Sequence, residues 1–186
     1  QDAAEWHRKR GRRILMVEGE KCRDTARRML DQADPYGDWL TLSPMGGASS
    51  TVYADWAPLL AGLDRPVTIT IWQDADTPLL RHDGSREDRQ KLYVGQLATS
   101  ILQGAIDAGV DTSLITINYL SPPADVESGW DIADAEAEGW SSAEMMKHVE
   151  TNTKNLEVDM TRTRAAAQHK PICENVASGA EDPVEL

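Results

Sequence analysis

The chain has 186 residues, a formal net charge of -12, and hydrophobic residues at 40% of its length. This length suits one α/β domain with a tail and is too short for two full domains. The negative charge argues against a protein that coats nucleic acids, because such proteins neutralise phosphates with Lys and Arg. Two widely separated cysteines, Cys22 and Cys173, predict neither a zinc site nor a disulfide framework.

Basic residues are concentrated at the start of the chain. Residues 1–28 contain 9 of the 19 Lys and Arg residues, so a basic end precedes an acidic body. Residues 1–12 are interpreted as a basic lead-in, which suits contact with DNA at one edge, although a solvated linker is the simpler interpretation. No apolar run approaches the roughly 20 residues of a membrane span and no signal-peptide pattern is present, so no membrane contact and a cytoplasmic location are expected.

Four runs predict strands. Residues 14–17 are continuously apolar, which is typical of a strand buried on both faces of a sheet. Trp39–Leu42 predicts a second strand, and the β-branched run Val67–Trp72 is the clearest of the four. Residues 113–120 predict the fourth.

Helices are predicted between these strands. An apolar stripe at helical spacing follows the first strand and consists of Cys22, Ala26, Met29 and Leu30. A second helix is expected around residues 50–60. A long helix is expected to start near Ser85, which has capping-box spacing with Asp88, and to end at Gly109. Short helices are predicted at residues 131–136 and after Ser141, with Glu144 as its capping partner.

The pattern fades after residue 150. Residues 151–186 are polar and mixed, and are interpreted as a tail or linker with one helix near 161–168. Alternating strands and helices over residues 13–150 predict βαβ units and an α/β fold with a mostly parallel sheet of about four strands. In such sheets ligands bind beyond the carboxyl ends of the strands.

Acidic residues follow three of the predicted strands. Glu18 follows the first strand, Asp74 and Asp76 follow the third, and a further group follows the fourth. Two like charges about 5 Å apart cost roughly 3 kcal/mol at an effective dielectric near 20, so a cation is expected among them. Carboxylates without His or Cys favour Mg²⁺ or Mn²⁺ over zinc. The further group consists of Asp125, Glu127, Asp131 and Asp134.

Three motifs in this order resemble the Toprim domain of phage- and plasmid-type DNA primases and primase-helicases. They are Val17-Glu18-Gly19-Glu20-Lys21 followed by Asp24, then Trp72-Gln73-Asp74-Ala75-Asp76, and then Gly129-Trp130-Asp131-Ile132-Ala133-Asp134-Ala135. The turn Pro44-Met45-Gly46-Gly47-Ala48 is similar to the glycine turn of that group. The resemblance covers residues 13–150 and implies a Toprim-like, Rossmann-like fold.

The resemblance also implies roles for individual residues. Glu18 would serve acid–base chemistry or metal binding, Asp74 and Asp76 would hold metal, and Asp131 with Asp134 would form a third acidic group. One or two Mg²⁺ or Mn²⁺ ions would clamp the phosphates of a nucleoside triphosphate and align a 3′-hydroxyl for attack. The positions expected to contact DNA or phosphate are Lys21, Arg23, Arg27, Gly46 and Gly47.

The implied activity is nucleotidyl transfer by a DNA primase, with RNA primer synthesis on a single-stranded DNA template during DNA replication. Template grip in this family comes from further domains of a larger primase or primase-helicase. The chain alone is therefore expected to bind metal, with weak or no priming. Residues 77–86 depart from the family pattern as a longer insertion, in which the roles of Arg81, His82 and Asp83 stay open and His82 is interpreted as a surface residue.

Three alternatives stay open. A Toprim-type endonuclease would use the same motifs. Asp74-Ala75-Asp76-Thr77 also fits the signature of haloacid-dehalogenase phosphatases, but that signature belongs on an opening strand and here it follows the third. Lastly, the domain would be a non-catalytic docking module of a replication protein if its acids bind no metal.

Overall fold

A five-stranded sheet with helices on both faces forms the centre of the structure. The computed structural model describes residues 13–35, 39–80 and 82–158. The basic lead-in 1–12 and the helix expected near 161–168 lie outside the described residues. An α/β fold with a mostly parallel sheet is confirmed, and it is compatible with a Rossmann-like arrangement.

The elements follow one another in strict alternation over most of the chain. In chain order they are β1 (Arg13–Val17), α1 (Glu20–Ala33), β2 (Trp39–Leu42), α2 (Ala57–Leu60), β3 (Val67–Trp72), β4 (Leu79–Leu80), β5 (Arg86–Glu87), α3 (Arg89–Asp107), β6 (Ile115–Leu120), α4 (Ile132–Ala137), α5 (Ser142–Asn152) and β7 (Thr153–Asn155). Two 3₁₀ helices, Ala48–Tyr53 and Thr112–Leu114, precede α2 and β6. The helix expected around residues 50–60 is thus a 3₁₀ helix followed by a single α-helical turn.

The sheet has the strand order β2-β1-β3-β6-β7, in which the first four strands are parallel and β7 pairs antiparallel with β6. Strands β1 and β3 are direct neighbours, with Val17 opposite Trp72 at their carboxyl ends. Residues 14–17 are all buried, as expected for a continuous apolar run in the middle of a parallel sheet. The ends of β1 and β3 therefore lie side by side.

Each face of the sheet is covered by its own helices. Helices α1, α4 and α5 pack on the face that carries Leu15 and Val17. Helices α2 and α3 pack on the face that carries Ile14 and Met16. The crossover through α1 leads from β1 outward to β2, and the crossover through α3 leads from β3 the other way to β6. The gap between β1 and β3 is therefore a topological switch point, where doubly wound sheets bind their ligands.

The start expected for the long helix was wrong by about one turn. Helix α3 begins at Arg89, and its N-cap is Asp88, whose side chain accepts a hydrogen bond from the Lys91 amide. Ser85 does not cap this helix, because its amide and its hydroxyl both donate to Asp83. The insertion after Asp76 instead forms the two-stranded ribbon of β4 and β5.

The predicted sheet was one strand short. Strand β7 lies in the segment interpreted as a tail, so ordered structure continues past residue 150. It follows α5, whose capping box of Ser141 and Glu144 is confirmed. Among the described residues, no helix combines the length and the apolarity needed to cross a lipid bilayer.

Candidate metal centre

Glu18 and Asp74 meet at the switch point. Glu18 is the first residue after β1, and Asp74 is the second residue after β3. The Asp74 amide donates a hydrogen bond to Oε1 of Glu18 at 3.1 Å. The register of the two strands explains this contact, since Val17 and Trp72 are paired. Two acidic side chains that are 56 positions apart in the sequence thereby share one edge of the sheet.

Asp131 and Cys22 complete the cluster around Asp74. The Cys22 thiol donates to Oδ2 of Asp131 at 3.1 Å. The Cys22 sulfur and one carboxylate oxygen from each of Asp74 and Asp131 lie within 4.8 Å of one another. These three residues could hold a metal ion.

The N-terminus of α4 fixes Asp131. Its Oδ1 accepts hydrogen bonds from the amides of Ala133 and Asp134 at 2.6 and 3.0 Å. In return, Oδ2 of Asp134 accepts from the Asp131 amide at 3.0 Å, which completes a capping box. Asp134 was expected to hold metal beside Asp131. The structure instead engages one of its oxygens in capping the helix, while Oδ2 of Asp131 faces Cys22.

Backbone pairing joins the Asp74 segment to the Asp131 segment. The Ala75 amide donates to the Trp130 carbonyl at 2.9 Å, and the Gly129 amide donates to the Ala75 carbonyl at 2.8 Å. The Thr77 amide adds a bond to Oγ of Ser128 at 3.0 Å. Gly129 has a φ of 87°, a left-handed conformation that glycine adopts without strain. These bonds hold the loop before α4 against the end of β3.

Burial and like charges make the cluster unfavourable to ionise. Burial, followed by the negative charge of Glu18 and Asp131, raises the pKa of Asp74 from 3.8 to about 8. Burial also raises the pKa of Glu18, against the lowering effect of the Asp74 amide. The pKa of the Cys22 thiol rises to about 12, because of burial and its hydrogen bond to Asp131. A bound cation would offset both the cost of burying these negative charges and their mutual repulsion.

Asp76 lies at the same edge with a cation as its partner. Its Oδ2 is 3.5 Å from Nε of Arg89, in the first turn of α3. The next residue, Gln90, donates from Nε2 to the Asp74 carbonyl at 3.2 Å. Helix α3 therefore contacts both acidic residues that follow β3. The expected metal-holding pair is divided: Asp74 faces Cys22 and Asp131, whereas Asp76 faces Arg89.

The residues expected to bind DNA or phosphate lie on two segments near the site. Lys21 is exposed on the first turn of α1, and its charge reaches the Cys22 thiol. Arg23 is paired with Asp24 at 2.8 Å, and Arg27 lies 3.9 Å from Asp31. These pairs are exposed and therefore contribute little to stability.

The glycine turn after β2 also reaches the edge. Gly46 and Gly47 have φ values of 87° and 74°, which favour glycine at both positions. A Cβ added to Gly47 would lie 3.9 Å from the Glu18 carbonyl oxygen, so the turn passes beside the end of β1. In the loop that follows β6, Asp125 and Glu127 are exposed.

Three residues of the site were missed by sequence reasoning. Cys22 was interpreted as part of the apolar stripe of α1, which it is, but its thiol also meets Asp131. Arg89 and Tyr93 lie on α3 one turn apart, a spacing that could have indicated a shared direction toward the edge. Tyr93 is close enough for the charges of Glu18 and Asp74 to raise its pKa further than burial alone does.

A groove on the other side of α3 is unrelated to this edge in its chemistry. It has a volume of about 820 Å³ and runs along α3 beside the 3₁₀ helix Ala48–Tyr53 and the start of α2. Tyr53 and Leu92, which are 85% and 45% exposed, line it. It is called the α3 groove below.

Comparisons of the chain with protein-family models, with curated proteins and with solved structures find no match. The site is therefore interpreted from its own geometry.

Proposed function

We propose that this chain is a Toprim-type domain that carries out Mg²⁺- or Mn²⁺-dependent phosphoryl transfer on nucleic acid, as the catalytic domain of a DNA primase from a mobile element. The observation that carries the proposal is the meeting of Glu18, Asp74 and Asp131 at the switch point of a parallel sheet. Phosphoryl transfer depends on positioning and on charge stabilisation, and this edge would supply ligands for an ion that provides both.

The donor set fits a hard divalent cation. Asp74 would hold the ion, with oxygens of Glu18 and Asp131 beside it, and Mg²⁺ is usually bound through one or two carboxylates with phosphates and waters. The raised pKa of Asp74 supports this, because a carboxylate surrounded by negative charge gains most from a nearby cation. When bound, the ion would neutralise negative charge on the phosphate oxygens of a nucleoside triphosphate and on the oxygen of the attacking hydroxyl.

The chain's own residues would divide the remaining work. One oxygen of Glu18 is occupied by the Asp74 amide, which leaves its second oxygen to accept a proton from a 3′-hydroxyl. The raised pKa of Glu18 lies closer to neutral pH than that of an ordinary glutamate, as general acid–base catalysis requires. Arg89 would leave its ion pair with Asp76 and bind a phosphate instead. The Arg89 side chain is 55% exposed, and its Nε lies 3.5 Å from Oδ2 of Asp76.

Nucleic acid would approach over α1 and the glycine turn. Lys21, Arg23 and Arg27 lie on α1, and the Gly46-Gly47 turn passes the end of β1, so both segments border the same edge. The body of the chain is acidic, and most of the phosphate contacts would come from further domains of a larger primase or primase-helicase. Single-stranded DNA and nucleoside triphosphates are the proposed partners.

Glu18→Gln tests the proposal. The substitution keeps the shape of the side chain and its acceptor oxygen for Asp74 but removes the base, so we expect Mg²⁺-dependent primer synthesis by the larger primase to fall by about 10²–10⁴-fold. Asp125→Asn, which removes a charge from an exposed loop, is the matched control and should leave synthesis unchanged.

The alternatives give different results with the same preparation. An endonuclease would nick supercoiled plasmid DNA with Mn²⁺ and would make no primers. A docking module would show no Mg²⁺-dependent change in melting temperature. A phosphatase of the haloacid-dehalogenase type would be trapped by beryllofluoride at Asp74. Any of these outcomes, together with a lack of primer synthesis, would contradict the primase assignment.

A further inference from the structure

A sulfur atom lies among the carboxylates of the proposed magnesium edge. Cys22 is 5% exposed and sits in the first turn of α1, in the same core cluster as Val17 at the end of β1. Its sulfur and the oxygens of Asp74 and Asp131 lie within 4.8 Å of one another. Cys22 belongs to the apolar core, but Mg²⁺ has little affinity for sulfur, so a magnesium ion at this edge would make no use of its thiol.

A second, independent observation concerns Tyr93. The side chain is 6% exposed, and its hydroxyl is buried without a hydrogen-bond partner among the described residues. Burial, and after it the charges of Glu18, Asp74 and Cys22, raise the pKa of this hydroxyl, so it lies near enough to the cluster for those charges to act on it. Leaving a buried hydroxyl unpaired is destabilising. A ligand bound at the cluster, such as a water on a metal ion, would satisfy it.

We propose that Cys22, Asp74 and Asp131 form a binding site for a thiophilic divalent ion, Zn²⁺ or its analogue Cd²⁺, with the Cys22 sulfur as a direct ligand. This ion is distinct from the Mg²⁺ or Mn²⁺ of the proposed function. It shares Asp74 with that ion, so its regulatory meaning rests on the proposed function, whereas its binding does not.

The geometry needs little rearrangement. Ligand atoms on a tetrahedral zinc ion lie about 3.5 Å apart, given Zn–S near 2.3 Å and Zn–O near 2.1 Å. The Cys22 sulfur is already 3.1 Å from Oδ2 of Asp131. On binding, the thiol proton of Cys22 and any proton carried by Asp74 leave to solvent, and the sulfur–metal bond takes the place of the hydrogen bond to Asp131. Three protein ligands leave a fourth position for water, as in sites that are not purely structural.

Occupation by zinc has a consequence for the proposed activity. Because Asp74 cannot serve both ions fully, a thiophilic ion would displace Mg²⁺ and hold the edge in a state that cannot transfer phosphoryl groups. Cys22 would thus make the site sensitive to zinc, whereas a serine in its place would leave a site that binds only magnesium.

Cd²⁺ titration of the chain tests the proposal, because cadmium bound to a thiolate shows an ultraviolet charge-transfer band that Mg²⁺ and carboxylates cannot produce. The titration is run in Cys173→Ser, so that Cys22 is the single remaining cysteine. We expect the band at one equivalent of Cd²⁺. We expect its loss in Cys22→Ser/Cys173→Ser, with an affinity at least about 10-fold weaker, since even outer-shell partners of a metal contribute about that much.

Two further variants define the ligands. Asp131→Asn and Asp74→Asn, in the Cys173→Ser background, should keep the fold and weaken Cd²⁺ binding by at least about 10-fold. Absence of the band in Cys173→Ser, or unchanged affinity in both aspartate variants, would overturn the three-residue site. Mg²⁺ competition separates the two proposals: a band that high Mg²⁺ suppresses supports a shared Asp74. A band without primer synthesis retains the zinc site and removes the primase assignment.

Discussion

The edge between β1 and β3 and the α3 groove are both concave, yet they differ in nearly every chemical respect. The groove has a volume of about 820 Å³ and is lined mainly by apolar and uncharged side chains such as Tyr53 and Leu92. The edge brings together Glu18, Asp74 and Asp131, where burial first and then the neighbouring negative charges raise the pKa of Asp74 to about 8. A large cavity is often the first guess for a ligand site. Here the perturbed carboxylates are the better guide, because they carry an electrostatic cost that a ligand would relieve.

The largest difference between the two regions is expected from Asp74→Asn. Magnesium at 100 times its dissociation constant stabilises a folded protein by about 2.7 kcal/mol, or about 5–10 °C in melting temperature for a chain of this size. We expect that shift to vanish in the variant. Thermal unfolding with and without Mg²⁺ measures it, and Asp125→Asn is the control with the same change in charge. A full magnesium-dependent shift in Asp74→Asn would refute the site.

A pH series without metal sharpens the electrostatic half of the comparison. The pKa of Asp74 is raised from 3.8 to about 8, so the folded state holds this proton more tightly than the unfolded chain does. The resulting stabilisation is complete below about pH 4 and is lost as the pH rises through 8. We therefore expect the melting temperature to fall between about pH 5 and pH 8, and to fall less in Asp74→Asn.

Other groups also titrate in this series, and burial raises the pKa of Glu18 in the same direction as that of Asp74. Hydrogen bonds to Ser85 and to Ser141 lower the pKa values of Asp83 and Glu144, so their contributions are lost only below about pH 4. Burial lowers the pKa of His148, which adds stability as the pH rises and so acts in the opposite direction. The difference between the parent chain and Asp74→Asn measures Asp74 together with its charge coupling to Glu18. Identical slopes in the two proteins would contradict the raised pKa.

Gly104→Ala should disturb the wall of the groove and leave the edge intact. The new Cβ would lie 2.7 Å from Cβ of Trp56 and 3.1 Å from the Ala57 nitrogen, where α2 approaches α3 closely. Overpacking of this kind costs about 1–3 kcal/mol. Gly95→Ala on the same helix is the matched control, because its Cβ meets no atom within 4 Å and alanine favours a helix by about 1 kcal/mol.

The expected readings for this pair are opposite in sign. Chemical denaturation should show a less stable Gly104→Ala and a more stable Gly95→Ala. Both variants should retain the full magnesium-dependent shift. Loss of the shift in Gly104→Ala would mean that the groove and the edge are coupled.

Leu92→Ser should have the smallest effect. The side chain is 45% exposed in the groove, and substitutions at such positions usually change stability by no more than about 0.5 kcal/mol. We expect neither the melting temperature nor the magnesium-dependent shift to move by more than about 2 °C. Calorimetric titration with Mg²⁺ checks the second point, and a clear loss of affinity would assign the groove a part in metal binding.

Much of the fold could be predicted because its signals are local. The apolar run at residues 14–17 and the β-branched run of β3 are strands on their own evidence, and their parallel pairing follows from the helices between them. Glu18 and Asp74 could then be brought together by topology alone. The capping box of Ser141 and Glu144 is local as well, and it was correct.

The missed features depend on contacts between distant residues. Strand β7 has the sequence Thr-Lys-Asn, which shows no alternation, and it is a strand because it pairs with β6. Cys22 looks like any other core position of α1 until the fold brings Asp131 to it from 109 positions away. Ser85 and Asp88 are both good N-caps, and a turn that binds Ser85 to Asp83 decides between them.

The backbone hydrogen bonds of Ala75 hold the segment after β3 against the loop before α4. Asp74 adjoins one partner and Asp131 adjoins the other, so opening the two bonds of Ala75 would separate the residues that share the cation. Any ion that bridges them must therefore slow the solvent exchange of the Ala75 and Gly129 amide hydrogens. The hydrogen-exchange rates of these two amides therefore report whether the site is occupied, at single-residue level and without any assay of catalysis.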